Sequence, residues 1–285
     1  MERSLQIKNL RQICKKIDKR NRKNWISKLD DRKQKESQFH DLKHKGLDKA
    51  EKAKAVDTYE AVYTNRKYYR AVSGCNHYLD KWIIDNCSQK IVLDYCCGVG
   101  GSAIKAAKAG ADLVIGIDIS EYSISVAEQR AVDEEVNDKI IFIVGDAENT
   151  GLPDECVERG LCSGVLHHLD LDYAIPELYR LGSKGSIFLA LEALDYNPAI
   201  KLYRMMTPDI RTEWEKAHIL SLKDVKKIRN LFAVPRPKYW HLLGILGAHL
   251  PQIFQPILNS TDRILEKIPL IQLLCWIFTF EMRKE

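Results

Sequence analysis

The sequence of 285 residues lacks an uninterrupted apolar stretch long enough to cross a membrane. Its most apolar run, 268–280, contains Pro269 and Gln272 and falls short of the roughly 20 residues that a spanning helix requires. Only 15 residues are glycine and 9 are proline, which excludes collagen-like and low-complexity classes. The N-terminal residues are polar and basic, so we expect no secretory signal. A hydrophobic fraction of 45% is sufficient for a packed core.

The chain also lacks the cysteine spacings of common metal and redox motifs. No two of its eight cysteines form a C-x-x-C pair. A free cysteine in an apolar stretch behaves as a small hydrophobic residue. We therefore expect reduced thiols, no metal site and a cytoplasmic location. The cysteines are Cys14, Cys75, Cys87, Cys96, Cys97, Cys156, Cys162 and Cys275.

Positive charge is concentrated at the N-terminus. Residues 1–54 contain 18 Lys and Arg against 8 Asp and Glu, whereas the rest of the chain contains 26 and 31. The net charge of +5 therefore averages a basic segment and a slightly acidic body. We predict a basic helical arm or lid over residues 1–58 and a second unit over 59–285. The basic residues form either a solvated helix face or a contact with an anionic surface.

The rest of the chain alternates strand and helix patterns. Short apolar runs predict buried strands at 90–94, 113–118, 139–146, 161–166 and 186–192, separated by helices at 102–109, 123–134 and 171–181. Two further strands are predicted near 238–243 and 274–282, after helices at 198–206 and 222–232 and a polar loop at 207–216. This order predicts an α/β fold with a doubly wound, mostly parallel sheet of seven strands.

A glycine-rich loop joins the first strand to the following helix. It has the sequence Asp94-Tyr95-Cys96-Cys97-Gly98-Val99-Gly100-Gly101. Glycines allow the backbone to approach a ligand, and a helix N-terminus offers free N–H groups. Asp118 ends the second strand, where a carboxylate can bind ribose hydroxyls, and Asp146 follows the third. A dinucleotide oxidoreductase is an alternative, with Ala103 in place of its third glycine.

These motifs together resemble those of class I S-adenosylmethionine-dependent methyltransferases. VLDYCCGVG is similar to their first motif, GIDIS to the ribose-binding motif and GDAENTGLPD to the adenine-binding one. SGVLHHLD resembles the segment after the fourth strand in quinone-type and related small-molecule enzymes. The resemblance implies a Rossmann-like methyltransferase fold that binds S-adenosyl-L-methionine. It places the cofactor against these residues: Asp94, Cys97, Gly98, Gly100, Asp118, Ile119, Asp146, Ala147 and Ser163.

The chain departs from the family pattern at two places. Cys96 replaces the usual first glycine of the motif, so we expect its backbone to adopt a conformation that non-glycine residues tolerate. Residues 157–160 are charged where the relatives are apolar, so the sequence does not determine at which residue the fourth strand starts.

Three side chains are candidate catalytic groups because they follow the fourth and fifth strands. His167 and His168 could act as a base near neutral pH, or they could hold a loop or cap the next helix. Glu192 could be a base, a stabiliser of positive charge or a structural hydrogen-bond acceptor for the tyrosine-rich N-terminal helix.

Four further residues are candidate substrate contacts. Arg204 and Arg211 could bind a carboxylate or phosphate, or could pair with Glu213 or Glu215. The segment that contains them resembles a signature of a small-molecule branch of the family. His40, in a Phe-His-Asp element of the arm, is either a surface residue or part of a lid over the cofactor. Tyr69 lies in the tyrosine-rich stretch before the sheet.

An apolar, proline-containing insertion at 244–267 precedes the last strand. It could be a covering subdomain or a homodimer contact, or it could form the wall of a hydrophobic substrate pocket or a peripheral membrane contact.

We therefore predict a methyltransferase for a small, hydrophobic or anionic metabolite. A lipid, isoprenoid or quinone C-methyltransferase at a membrane surface is the main alternative. An RNA or DNA methyltransferase is disfavoured, because Ser163-Gly164-Val165-Leu166 replaces the (N/D)-P-P-(Y/F) block of such enzymes. A non-catalytic module that only binds S-adenosylmethionine remains open.

Overall fold

The fold is taken from a computed structural model, which describes residues 2–23, 26–52, 73–207 and 211–285. The helices of these residues are α1 (Glu2–Asn21), α2 (Asp31–Lys52), α3 (Gly74–Asn86), α4 (Gly101–Lys108), α5 (Glu121–Asp133), α6 (Leu171–Leu181), α7 (Pro198–Met206), α8 (Glu213–Ala217), α9 (Leu222–Ile228) and α10 (Gln255–Leu265). The strands are β1 (Ile91–Tyr95), β2 (Leu113–Asp118), β3 (Ile140–Val144), β4 (Val157–Ser163), β5 (Gly182–Ala193), β6 (Lys238–Trp240) and β7 (Ile277–Arg283).

The seven strands form one sheet in the order β3-β2-β1-β4-β5-β7-β6. Strands β1 to β5 are parallel, and β7 runs antiparallel to both β5 and β6. The chain turns from one half of the sheet to the other between β1 and β4, which makes this the position at which ligands bind in doubly wound folds. The predicted fold class is confirmed.

Helices cover both faces of the sheet because its strands are apolar on both sides. Within β1, Ile91, Leu93 and Tyr95 belong to the hydrophobic core of one face. Val92 belongs to the core of the other face. This alternation follows from the two-residue period of a strand.

Helix α1 packs on the sheet and contributes to its core. Leu10, Cys14 and Ile17 recur at helical spacing, and all three are buried in the first core. The Asp18 carboxylate accepts a hydrogen bond from the Val144 N–H at 2.9 Å, and Asn21 Nδ2 donates to the Val144 carbonyl at 2.8 Å. The end of α1 therefore satisfies backbone groups on the open edge of β3.

Several boundaries differ from the predicted ones, among them those of the fourth strand and of the polar loop 207–216. Strand β4 begins at Val157, since Glu158 accepts a hydrogen bond from the Ile91 N–H of β1 at 2.8 Å and is paired with Arg3. The predicted polar loop 207–216 contains the start of α8, whose first turn is capped by the Thr212 hydroxyl.

The predicted insertion before β7 consists of short 3₁₀ turns at Gly244–Ala248 and Gln252–Phe254 followed by α10. Among the residues that the structure describes, no helix is both long enough and apolar enough to span a bilayer.

Candidate functional site

The β1–α4 loop has an unusual backbone. Gly98 and Gly100 have φ values of +52° and +76°, and Cys96 has a φ of +54°. Cys96 thus has the left-handed geometry for which glycine is favoured, a region that non-glycine residues tolerate but seldom adopt. The Asp94 carboxylate accepts a hydrogen bond from the Ala103 N–H at 2.8 Å and so fixes the first turn of α4.

Asp118, at the end of β2, binds the backbone of the β1–α4 loop. Its two carboxylate oxygens accept hydrogen bonds from the Gly98 N–H at 2.8 Å and the Ser120 N–H at 2.9 Å. Burial raises the pKa of Asp118. The end of β2 and the glycine loop are thus joined directly through one carboxylate.

A cavity of about 350 Å³ opens between the carboxyl ends of β1, β2 and β4 and the loop that follows β3. A Cβ atom built on Gly98 would meet no atom within 4 Å, so the space beside this glycine is free for a ligand. Seven of the predicted cofactor residues line this cavity: Cys97, Gly98, Asp118, Ile119, Asp146, Ala147 and Ser163.

Asp94 and Gly100 line neither this cavity nor the larger one described below, so their predicted contact with the cofactor stays a prediction. Asp94 is buried beneath the loop. At Gly100 a Cβ atom would lie 2.9 Å from the Phe142 ring, so a side chain there would force the loop away from the sheet. Both residues shape the loop.

Helix α2 forms a wall of the cavity that the sequence analysis assigned only at His40. Arg32, Lys33 and Glu36 line the cavity together with His40. The Ser37 hydroxyl donates to the Ile119 carbonyl at 3.1 Å, and this contact holds α2 against the end of β2. The signal in the sequence is the spacing of residues 32, 36 and 40, which places them on one helix face.

Four charged groups are paired beside Ala147. Arg32 Nη2 lies 2.6 and 2.7 Å from the two oxygens of Glu148. Lys33 Nζ lies 2.8 Å from Asp146 and 2.9 Å from Glu148. Burial acts to lower the pKa of Lys33, but the two carboxylates outweigh it and raise that pKa. The cluster fixes Asp146, the residue that the motif assigns to the adenine edge.

His168 lies in the same cavity as His40 and contacts Glu36 from α2. Glu36 Oε2 lies 3.4 Å from His168 Nδ1 and 3.5 Å from His40 Nε2. Burial and the neighbouring His167 lower the pKa of His168 to about 3, so its imidazole is neutral at physiological pH. The two histidines and Glu36 join α2 to the loop after β4.

A second cavity of about 640 Å³ adjoins the first, and Ser163 and Gly164 line both. Its walls are mainly apolar, with Leu191 and Ile277 from the sheet, Ile200 from α7 and Ile245 from the insertion. We call the first cavity, which the charged groups of α2 line, the polar cavity and the second the apolar cavity. A ligand in one and a ligand in the other would meet at Ser163.

His167 lines the apolar cavity, and Glu192 positions it. His167 Nδ1 lies 2.7 Å from Glu192 Oε2, while Glu192 Oε1 accepts the N–H groups of Val165 and Leu166, each at 2.8 Å. Glu192 is fully buried and lines neither cavity. Glu192 is thus a structural acceptor for the loop after β4, whereas its predicted catalytic role stays a prediction.

Arg204 and Arg211 also line the apolar cavity, and both contact Glu215. Arg204 Nη2 donates to the Glu215 carbonyl at 2.8 Å, and Arg211 Nε lies 3.4 Å from Glu215 Oε1. Arg211 Nη1 also donates to the Thr207 carbonyl at 2.7 Å. The pairing with Glu215 is therefore present, and the predicted binding of a carboxylate or phosphate by these arginines stays a prediction. The predicted contact of Tyr69 lies outside the described residues.

Comparison with known proteins identifies the domain. Residues 92–185 match a family model described as a methyltransferase domain. A ubiquinone/menaquinone biosynthesis C-methyltransferase of Rhodopseudomonas palustris is 33% identical over 121 residues, which is 41% of this chain and 48% of that protein. A sterol 24-C-methyltransferase of Aspergillus fumigatus is 30% identical over 128 residues, which is 45% of this chain and 34% of that protein. The chain thus spans half or less of the length of these relatives.

Solved structures extend the likeness over most of the chain. The [4+2]-cyclase SpnF is 18% identical, with a TM-score of 0.53 over 73% of this chain and 80% of that one. A geranyl diphosphate C-methyltransferase from Streptomyces coelicolor is 15% identical, with a TM-score of 0.53 over 74% of this chain and 79% of that one. At these identities the likeness shows the fold alone. Residues 92–185 therefore match a methyltransferase domain, and most of the chain has the fold of these solved structures.

Proposed function

We propose that the protein transfers a methyl group from S-adenosylmethionine to a small, hydrophobic or anionic metabolite. The observation that supports this most directly is the pair of adjoining cavities that share Ser163 and Gly164. One has the motif residues of a nucleoside-binding site and the other has apolar walls. Methyl transfer requires two ligands whose reacting atoms meet, and such an arrangement can supply the necessary proximity.

The residues of the polar cavity suit the cofactor. Asp118 offers carboxylate oxygens at the position where doubly wound folds bind ribose hydroxyls, and Gly98 leaves open space beside it. Ile119 and Ala147 provide apolar contacts for an adenine ring, next to Asp146. When bound, the cofactor supplies an activated methyl group on a sulfonium.

His167 is the best-placed proton acceptor in the apolar cavity. Its Nδ1 faces the Glu192 carboxylate, which accepts the Nδ1 proton and leaves Nε2 as the acceptor nitrogen. An acceptor hydroxyl, amine or activated carbon would lose its proton to this nitrogen. His168 stands in the other cavity beside Glu36, so we assign it to cofactor binding and to the lid contact.

The dimensions and lining of the second cavity favour a lipophilic acceptor. Aliphatic and aromatic side chains dominate its walls, and two arginines contribute polar groups that could receive a carboxylate or phosphate. The relatives named above include a quinone and a sterol C-methyltransferase, which agrees with this composition. A quinone, isoprenoid or related lipid is therefore the narrower candidate within the proposed class.

Calorimetric titration with S-adenosylmethionine and S-adenosylhomocysteine tests the cofactor assignment. We expect both to bind and Asp118→Ala to remove most of the affinity. Gly98→Ala should also weaken binding, because its methyl group would project into the cavity. Gly185→Ala is the matched control, since Gly185 also has a positive φ, +78°, and open space around a built Cβ.

Incubation with cofactor labelled on the methyl group, followed by organic extraction of added quinones and isoprenoids, tests for turnover. Labelled lipid product, lost in His167→Gln, would support the proposal. Unchanged cofactor affinity in both Asp118→Ala and Gly98→Ala would contradict the binding site. Tight cofactor binding without transfer to any lipophilic or anionic acceptor would favour a non-catalytic module.

A further inference from the structure

Exposed hydrophobic side chains are concentrated in one part of the surface. Eighteen large hydrophobic residues of the described chain are strongly exposed, and nine of them lie within residues 244–274. We call residues 244–274 the apolar segment. Soluble monomers rarely expose so many large apolar side chains together, and such patches mark interaction sites. The nine are Leu246, Leu250, Ile253, Phe254, Ile257, Ile264, Ile268, Leu270 and Leu274.

The apolar segment has polar groups inside and hydrophobic groups outside. Asp262 is the one fully buried residue of α10, and its carboxylate accepts the N–H groups of Leu243 at 2.7 Å and Gly244 at 2.8 Å. Glu266 accepts the His241 N–H at 2.8 Å. Because these hydrogen bonds hold the segment together, its exposed isoleucines and leucines are not needed for its own core.

Four of the exposed isoleucines form a stripe along α10 and beyond both of its ends. Ile257 and Ile264 are seven residues apart and share one face of α10, while Ile253 precedes the helix and Ile268 follows it. Leu270 follows with 78% of its surface exposed and a φ of +68°. Leu270 therefore adds a large apolar side chain to the exposed surface and contributes little to the core.

Positive charge borders the stripe. Arg263 and Lys267 of the apolar segment line a groove together with Arg236 and Lys238 from the β6 region. The acid among the residues that line this groove is Glu266, which already accepts the His241 N–H. Aliphatic side chains beside a cluster of cations match the acyl chains and anionic headgroups of a phospholipid surface.

The same region surrounds the apolar cavity. Leu246 and His249 both line the cavity and are exposed, so they lie at its rim. Helix α7 also contributes Tyr203 to the lining and exposes Met205 and Met206 at its end. Two elements that line the proposed substrate cavity, the apolar segment and α7, therefore carry exposed hydrophobic residues.

We propose that the apolar segment and the exposed side of α7 dock on the surface of an anionic phospholipid bilayer. Docking in this orientation would bring the cavity rim to the lipid, and a lipophilic substrate could enter without crossing water. The entry of a lipophilic substrate from the bilayer rests on the proposed function, whereas the docking itself does not.

Co-sedimentation with vesicles of phosphatidylcholine, with and without a share of phosphatidylglycerol, tests the proposal. We expect the full chain to bind the anionic vesicles and Ile253→Asp/Ile257→Asp to lower the partition coefficient at least about tenfold. Arg263→Gln/Lys267→Gln should reduce binding to anionic vesicles and weaken its salt dependence, since Arg236 and Lys238 remain. Ile84→Asp is the matched control, because Ile84 is 67% exposed on α3, outside the apolar segment.

Each variant is also titrated with S-adenosylhomocysteine, and unchanged affinity shows that it is folded. The proposal is overturned if Ile84→Asp lowers vesicle binding as much as the double variant, or if the full chain does not bind vesicles. It is equally overturned if size-exclusion light scattering shows a dimer that Ile253→Asp/Ile257→Asp dissociates while vesicle binding is unaffected. Vesicle binding without methyl transfer would leave docking supported and the proposed function contradicted.

Discussion

Buried carboxylates shape the cofactor side of the site. Asp94 fixes the first turn of α4, and Asp118 joins the glycine loop to the end of β2. Both are buried, and burial raises the pKa of each. Buried carboxylates with a shifted pKa are commonly found at ligand-binding sites.

Asp94→Asn should change how stability depends on pH. Burial raises the pKa of Asp94 to about 7 from its ordinary 3.8, so in this interval the folded protein keeps a proton that the unfolded chain has lost. Stability therefore falls as pH rises through this window and levels off above it. Between pH 5 and pH 8 we expect the wild type to lose about 2 to 3 kcal/mol relative to the variant.

Urea unfolding at several pH values measures this difference. Asp85→Asn is the control, because Asp85 is an exposed acid on α3 and should leave the profile of the wild type unchanged. Parallel stability profiles for wild type and Asp94→Asn would show that Asp94 is ionised in the folded protein across the range.

At the scale of elements, α1 is part of the folded core. Its buried residues lie against the sheet, and several of its charges are paired with the body of the protein. Arg3 contacts Asp112 at 3.1 Å, and Arg22 contacts Glu128 at 2.9 Å. Positive charge in this segment is thus partly neutralised in place, and α1 acts as the cover of β3.

Ile17→Ala should destabilise the protein by about 2 to 4 kcal/mol, because it removes a buried side chain and leaves a cavity against the sheet. Leu5→Ala on the same helix is the control, with an expected change within about 0.5 kcal/mol, since Leu5 is 59% exposed. Urea denaturation followed by tryptophan fluorescence measures both. Equal, small effects would mean that α1 does not contribute to the cooperative unit.

Sequence patterns predicted the elements of the sheet but not all of its surroundings. Strong apolar runs located β2 at 113–118 and α6 at 171–181, since these segments are determined by local periodicity. The sequence did not reveal the contacts between residues that are far apart along the chain. Nothing local indicates that Lys33 reaches Asp146, 113 residues away, or that Glu192 would bind the loop after β4 instead of a substrate. Long-range pairing of charges leaves no periodic signal.

For the whole molecule, the two cavities and the apolar segment divide the site into regions. Helix α2 lines the polar cavity, whereas α7 and the apolar segment line the apolar cavity. Ser163 and Gly164 line both. Binding at one region should therefore protect a limited set of backbone amides rather than the entire chain.

Hydrogen–deuterium exchange distinguishes these regions in one experiment. S-adenosylhomocysteine should slow exchange in residues 96–100, 118–120 and 163–169 and in the cavity-lining part of α2, where the polar cavity is formed. Anionic vesicles should instead slow exchange in the apolar segment and α7. Exchange in the buried core of β1 should be slow throughout and unchanged by either addition, which provides the internal control. If S-adenosylhomocysteine slows amide exchange in the apolar segment as strongly as in residues 96–100, the two regions are coupled through α7 and the loop after β4. In that case, separate binding of lipid surface and cofactor is contradicted.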